Sequence, residues 1–320
     1  MPLEFTLIEK YFNWQQSADS VQIGVGDDAA VLNFDSNKNQ QLVVSVDTLI
    51  EGVHFPENTP ADAVGHKALA VNLSDLAAMG AKPAWFTLAL TLPSFNQDWL
   101  KAFSSGLKQL ADQYNISLIG GDTTRGKLSI TLQVMGFVEK NQALLRSNAK
   151  PNDKIYVTGD LGDAAIGLAI VQARLAKQRL SNPASQYCQN ALNYPQPQQR
   201  LSKIIKPYTN ACLDISDGLL QDLSHILTAS KVGACLDLDN IPLSSAALEL
   251  AYNTALPYAL SGGDDYQLLF TVAMKNAPQL LADIAKTQYK ITCIGTINNN
   301  LAQITDTSGT VINRTGYQHF

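Results

Sequence analysis

The sequence predicts an α+β fold: two domains, each layering helices on a mixed or antiparallel sheet. Three observations predict it. The chain has 320 residues, a length that fits two domains better than one. Apolar residues make up 46% of it, ample for packed cores and against disorder. Strand-like and helix-like segments alternate irregularly in both halves, without the strict βαβ order of a parallel sheet.

Taken in order, Ala30-Val31-Leu32 reads as a strand, and residues 41–46 as a buried strand ending at Asp47. Residues 61–79 form a helix with Val64, Leu69, Val71, Leu76 and Met79 as apolar positions and Gly80 as its stop. Residues 84–92 are β-like and close at Pro93; a helix follows from 96 to 114. Residues 117–119 make a short strand running into Gly120-Gly121-Asp122, and Leu128–Val138 alternates as a long strand. Residues 139–153 are polar and end in a turn signal. They separate an N-terminal domain, 1–140, from a C-terminal domain, 150–320. In the second half, 155–158 is a strand and Gly162 opens a helix to 178. A Pro/Gln-rich connector spans 193–200. Helices at 218–230, 244–252 and 277–287 then alternate with strands at 233–238, 267–273 and 290–297.

Composition excludes several function classes. A net charge of −5 and a pI near 5.3 argue against a nucleic-acid or anionic-membrane surface. No apolar run is long enough to span a membrane. Glu4 and Glu9 stand where a secretory signal would be cationic and apolar. Cys188, Cys212, Cys235 and Cys293 are well separated in apolar contexts, which fits reduced thiols in a cytoplasmic protein.

The acid is nearly all aspartate, 22 Asp against 6 Glu, in a chain only 16% charged. Asp prefers turns, caps and metal-ligand loops, so the skew places carboxylates in loops. Gly24-Val25-Gly26-Asp27-Asp28 begins like a dinucleotide fingerprint but leads into a strand, and its paired carboxylates would repel a bare phosphate. A Mg²⁺ perch or a plain β-turn explains it. Asp47 closes a strand in Ser45-Val46-Asp47-Thr48, where chemistry or a helix cap is equally at home. Asp75 lies inside a mostly apolar helix, three residues from Asn72, a costly place unless paired or metal-bound. Gly120-Gly121-Asp122-Thr123-Thr124-Arg125-Gly126 combines close backbone approach, a metal-binding acid, hydroxyls and a cation, or is a tight hairpin. Asp214-Ile215-Ser216-Asp217-Gly218 precedes an apolar helix, for which Ser216 or Asp217 is a possible N-cap. Ser261-Gly262-Gly263-Asp264-Asp265-Tyr266 again joins Gly to paired Asp. Six such segments together point to aspartates gathered around Mg²⁺ and a polyphosphate. There is no Walker A loop, no kinase H-R-D or D-F-G set and no H-E-x-x-H.

These motifs resemble the thiamine-monophosphate kinase family, within the ATP-binding superfamily typified by aminoimidazole ribonucleotide synthetase. G-V-G-D-D-A at 24–29, V-D-T-L at 46–49, A-V-N-L-S-D-L-A-A-M-G-A at 70–81, L-I-G-G-D-T-T-R-G at 118–126, D-I-S-D-G-L at 214–219 and S-G-G-D-D-Y at 261–266 carry the resemblance. It implies an aminoimidazole ribonucleotide synthetase-like fold and a homodimer whose N-terminal sheets close into a barrel. It also implies ATP as co-substrate, several Mg²⁺ ions and thiamine monophosphate as acceptor. By motif position, Asp28, Ser45, Val46, Asp47, Asp75, Asp122, Asp214 and Asp217 would hold metal, Val46 through its carbonyl. Gly121, Asp122, Arg146 and Ser216 would meet ATP. His54, Asp264 and Tyr317 would meet the thiamine phosphate. His66 and His225 receive no role.

The family usually has Glu where this chain has Asp264, one methylene shorter, and Thr where it has Val46, which lacks a side-chain oxygen. The implied chemistry is direct in-line transfer of the ATP γ-phosphate. A monoester phosphate is largely deprotonated at neutral pH, so no general base and no phosphoenzyme are expected. A selenophosphate synthetase would carry a reactive Cys near the N-terminus, whereas the first here is Cys188. A hydrogenase-maturation relative would end in a Cys-bearing tail. A non-catalytic divalent-ion scaffold would explain the acids but not Thr123-Thr124-Arg125 or Arg146.

Overall fold

The computed structural model describes residues 21–23, 30–33, 39–176, 179–313 and 316–317. The chain divides into two compact units. The N-terminal unit runs to residue 143 and includes 193–199; 144–192 and the residues from 200 onward belong to the C-terminal unit.

The N-terminal unit is built on β1 (Val21–Ile23), β2 (Ala30–Asn33), β3 (Gln40–Ile50), α1 (Ala61–Ala78), β4 (Lys82–Leu92), α2 (Gln97–Tyr114), β5 (Ser117–Arg125) and β6 (Ser129–Glu139). The sheet order is β1-β2-β3-β6-β4-β5, antiparallel except for the parallel pair β4–β5. Alternation along the strands sends Val43, Leu49, Ile130, Leu132, Val134, Phe86 and Leu90 into the core beneath the helices. Helix α1 is buried almost all round, which its Ala-rich sequence permits. Helix α2 buries a single stripe of Phe103, Gly106, Leu107, Leu110 and Ala111. The two helices cross at glycines: a Cβ on Gly65 would lie 2.1 Å from Phe103 O, and one on Gly106 2.0 Å from Asp62 O. The 193–199 connector is strapped onto this unit. His66 Nε2 lies 2.8 Å from Pro195 O, Tyr194 Oη donates to Asp62, Tyr114 Oη to Pro197 O and Gln199 Nε2 to Leu73 O.

The C-terminal unit contains β7 (Lys154–Thr158), α3 (Asp163–Val171), α4 (Asn182–Asn193), α5 (Gln199–Ile205), β8 (Thr209–Ile215) and α6 (Leu219–Ser230). It continues with β9 (Gly233–Leu236), α7 (Ser245–Leu248), α8 (Tyr252–Ser261), β10 (Gln267–Val272), α9 (Ala277–Ile284), β11 (Ile291–Asn298) and β12 (Ile304–Asp306). Its sheet, β12-β9-β11-β7-β10-β8, is antiparallel except at β12–β9. Ile155, Val157, Leu213, Ile215 and Leu269 pack against the apolar face of α6, formed by Leu219, Leu220, Leu223, Ile226 and Leu227. Tyr156 and Phe270 stack 5.6 Å apart. None of the four cysteines forms a disulfide. Among the described residues no helix is long and apolar enough to cross a membrane.

Several elements depart from expectation. Strand β3 does not stop at Asp47. Its ladder with β6 continues in register to Ile50↔Ser129, and the Thr48 and Thr131 hydroxyls meet at 2.8 Å. Asp47 is therefore a mid-strand residue. Gly120–Arg125 is neither loop nor hairpin but the body of β5, drawn into parallel pairing with β4. The helix expected to run to 178 ends at Val171. The one expected at 244–252 breaks in two, at Ala251 with φ +64°. Helices α4 and α5 and strand β8 have no counterpart in the sequence expectation. The buried stripe of α4, Ala184, Ser185, Cys188 and Leu192, is too polar to stand out by periodicity.

Candidate active site

In the N-terminal unit, β3 and α1 bring Ser45 and Asp75 together: Ser45 Oγ donates to Asp75 Oδ2 at 2.5 Å. Strand alternation sets Ser45 and Asp47 on the helix-facing side, in rows with buried Val134 and Leu132. Val46 turns the other way and is 56% exposed. On α1, Asn72 Nδ2 donates to Ala68 O, while Asn72 Oδ1 and Ser74 Oγ are buried with no hydrogen-bond partner among the described residues. Asp28 lies outside the described residues.

Asp122 is on edge strand β5 and exposed, as are all nine residues of that strand. Its neighbour must be glycine: a Cβ on Gly121 would lie 1.9 Å from Leu88 O of β4. The register aligns Asp122 with Ala89, Thr131 and Thr48, the row opposite in facing to that of Asp47. Three strand spacings separate β3 from β5, about 14 Å at ordinary inter-strand distance. One chain's sheet therefore does not bring Asp47 and Asp122 together. Among the described residues, no three His, Cys, Asp or Glu side chains form a group able to hold a metal. His54 sits in the turn after β3, where Nδ1 accepts from Ile50 N–H at 3.0 Å. A neutral ring then carries its proton on Nε2.

The C-terminal unit gathers its predicted residues more tightly. They cluster where β7 and β8 end and β10 begins. Asp214 is buried near the end of β8, opposite Leu268. The following segment, 216–218, is pinned from both sides. Asp264 N–H donates to Ser216 O at 2.9 Å and Tyr266 N–H to Ile215 O at 2.8 Å. On its other flank, Tyr317 N–H donates to Asp217 O at 3.0 Å, and Gln221 Nε2 donates to both Asp217 Oδ2 and Tyr317 O. Gly263 is required by this contact, since a Cβ there would lie 2.3 Å from Ser216 O. Asp264 takes φ +70°, and its Oδ1 accepts from Tyr266 Oη at 3.0 Å. Arg146 lies in a short 3-10 turn whose carbonyl accepts from Ser230 Oγ at 2.7 Å.

One residue here, Asp222, escapes sequence reasoning. Neither Ser216 nor Asp217 caps α6; Gly218 holds the cap position without a side-chain bond. Instead Asp222 Oδ2, in the first turn of α6, accepts the N–H groups of Ser216, Asp217 and Gly218 at 3.0, 3.0 and 3.1 Å. Burial pushes the Asp222 carboxyl well up, and Asp217 and Asp214 add to this, against the N–H bonds and Arg146. Asp265 accepts Gly162 N–H on both oxygens, and burial likewise raises its pKa. The only sequence signal for Asp222 is an acid in a helix's first turn.

Gly-rich strands and loops bearing carboxylates, on two α+β units, fit the ATP-binding superfamily whose motifs the sequence resembles. Residues 26–138 match the family described as AIR synthase related protein, N-terminal domain, and residues 150–303 match its C-terminal domain. The chain is 46% identical over 323 aligned positions to the thiamine-monophosphate kinase of Escherichia coli K12, covering 99% of this chain and 98% of that one. The solved thiamine-monophosphate kinase of Stenotrophomonas maltophilia K279a superposes with a TM-score of 0.81 at 43% identity, covering 97% of this chain and 98% of that one. A structure described as AaThiL complexed with AMPPCP and TMP gives 0.84 at 29% identity, covering 99% and 96%. The chain belongs to the thiamine-monophosphate kinase family.

Proposed function

We propose that this protein phosphorylates thiamine monophosphate to thiamine diphosphate at the expense of ATP. The observation that carries this reading is the match along 99% of the chain to a structure bearing an ATP analogue and TMP together. An acceptor phosphate oxygen forms the new bond to the γ-phosphorus, the bond to the β-phosphate oxygen breaks, and ADP leaves. The acceptor oxygen is already deprotonated at neutral pH, so the residues orient rather than abstract a proton.

The donor set fits magnesium. Ser45 Oγ and Asp75 Oδ2 are hard oxygens held side by side, and Asn72 Oδ1, one turn earlier on the same helix, is a buried oxygen with no hydrogen-bond partner among the described residues. Asp28, Ser45, the Val46 carbonyl, Asp47, Asp75, Asp122, Asp214 and Asp217 would hold the ions. When bound, they neutralise the facing phosphates and so permit two anions to approach. Gly121, Arg146 and Ser216 would contact ATP; His54, Asp264 and Tyr317 would orient the thiamine phosphate. Tyr266, which donates to Asp264, fixes the shorter acid in place of the family's usual Glu.

The open face of the N-terminal sheet supports a homodimer. Val44, Val46, Ile50, Trp85, Met135 and Phe137 share that face, and Val46, Ile50 and Trp85 are 56%, 37% and 41% exposed. A second copy covers such a face most economically, and it also removes the β5 edge. Cysteines without disulfides fit the cytoplasm. Incubation with ATP, Mg²⁺ and thiamine monophosphate should yield the diphosphate and ADP. Turnover only with some other acceptor would refute the assignment while leaving the fold intact.

A further inference from the structure

We infer that Asp222 is the positioning residue of the proposed ligand cluster in the C-terminal unit: its carboxylate holds the 216–218 backbone in one arc and closes that arc to direct phosphate binding. The inference rests on the kinase reading above. Three consecutive N–H groups ahead of a helix form the concave donor set on which many proteins seat a phosphate. Here all three converge on one oxygen of a resident side chain, at 3.0 to 3.1 Å. A nucleotide phosphate reaching this arc finds its amides already engaged. Contact with the nucleotide therefore passes through the side chains the arc presents, Ser216 and Asp217, rather than through its backbone.

The location argues for positioning rather than packing. Asp222 is buried within the field of two other carboxylates, Asp214 and Asp217, with Arg146 the compensating cation. Burying a third acid there is unfavourable, and an apolar residue would pack without that cost. What the carboxylate supplies is a fixed arc. The same arc accepts Asp264 N–H at Ser216 O and Tyr317 N–H at Asp217 O. Asp222 thus sets the acid proposed for the substrate, Asp264, and the residues proposed for nucleotide and metal, Ser216 and Asp217, against a common frame.

The test compares wild type, Asp222→Ala and Asp222→Asn by amide hydrogen exchange at 216–218, circular dichroism and kinetics with thiamine monophosphate. In Asp222→Ala the three amides should exchange about tenfold faster. Its kcat should fall about 100-fold, the scale of an ångström-sized misplacement. Added formate, a free carboxylate able to occupy the vacated place, should restore protection and part of kcat, while chloride does not. A folded Asp222→Ala with wild-type exchange, or with lost kcat that formate leaves untouched, would overturn the inference. If Asp222→Ala fails to fold, Asp222→Asn decides, because its Oδ1 can accept the same three bonds. Retained protection with kcat within about tenfold supports positioning; retained protection with kcat abolished refutes it. Should the wild type fail to use thiamine monophosphate, the kinase reading falls, yet exchange and formate binding at 216–218 still decide the role of Asp222.

Discussion

Asp47 and Asp122 stand on strands with two others between them and face opposite sides of the N-terminal sheet. If both ligate metal in one site, the second copy of a homodimer must supply one of them. Asp47→Asn and Asp122→Asn should each abolish turnover with the fold intact. Mixed after subunit exchange, the two inactive variants should recover about a quarter of wild-type activity, because half the dimers are mixed and each mixed dimer regains one intact site. No recovery would show that both carboxylates act within one chain.

Gly263 separates the substrate-side segment from the 216–218 arc by backbone contact alone. Gly263→Ala places a methyl 2.3 Å from Ser216 O, and both strands of the contact are backbone that cannot swing away. We predict a loss of about 1–3 kcal/mol in stability, the usual range for overpacking. KM should rise for both substrates, since Ser216 and Asp264 are displaced together. A thermal melt and a two-substrate kinetic matrix measure this; an effect on one substrate alone would contradict the shared contact.

Asp264 offers a narrower test. Its Oδ1 accepts from Tyr266 Oη, so the short acid is held close to its own backbone. Asp264→Asn should raise KM for thiamine monophosphate about tenfold, the scale of one lost charge-assisted hydrogen bond, and leave KM for ATP unchanged. A matching rise for ATP would assign Asp264 to the nucleotide side.

Much of the scaffold is legible because its signals are local. Alternation in Leu128–Val138 yields β6, and Gly80, at φ +66°, ends α1 where its sequence says it should. The strand character of Gly120–Arg125 is not local: it comes from pairing with β4, where Leu88 O demands a glycine at 121. The site divides the same way. Gly-Asp clusters flag 214–218 and 261–266 separately, but the Asp264 N–H to Ser216 O bond joins residues 48 apart. Asp222 is illegible for a different reason: an acid in a first helical turn is the commonest answer to a helix dipole, so its reach back to three amides leaves no distinct mark.

Asp163, to which no ligand is assigned, gives a pH-dependent prediction. It is buried at the start of α3, accepts Ser244 Oγ at 2.5 Å and lies 4.0 Å from Cys188 Sγ. Burial lifts its carboxyl from 3.8 to about 6; the Ser244 bond opposes this, and Asp160 adds to it. The neutral acid is thus the form the fold prefers. Its contribution is fully present below the unfolded value of 3.8 and is lost as pH rises through about 6. Above that, the ionised group disfavours the folded state by up to about 3 kcal/mol. Asn is neutral at every pH and can still accept from Ser244. Asp163→Asn should therefore raise Tm by a few degrees at pH 8 and change it little near pH 4. Calorimetry at the two pH values checks this, and a gain of equal size at both would show that charge at Asp163 is not the cause.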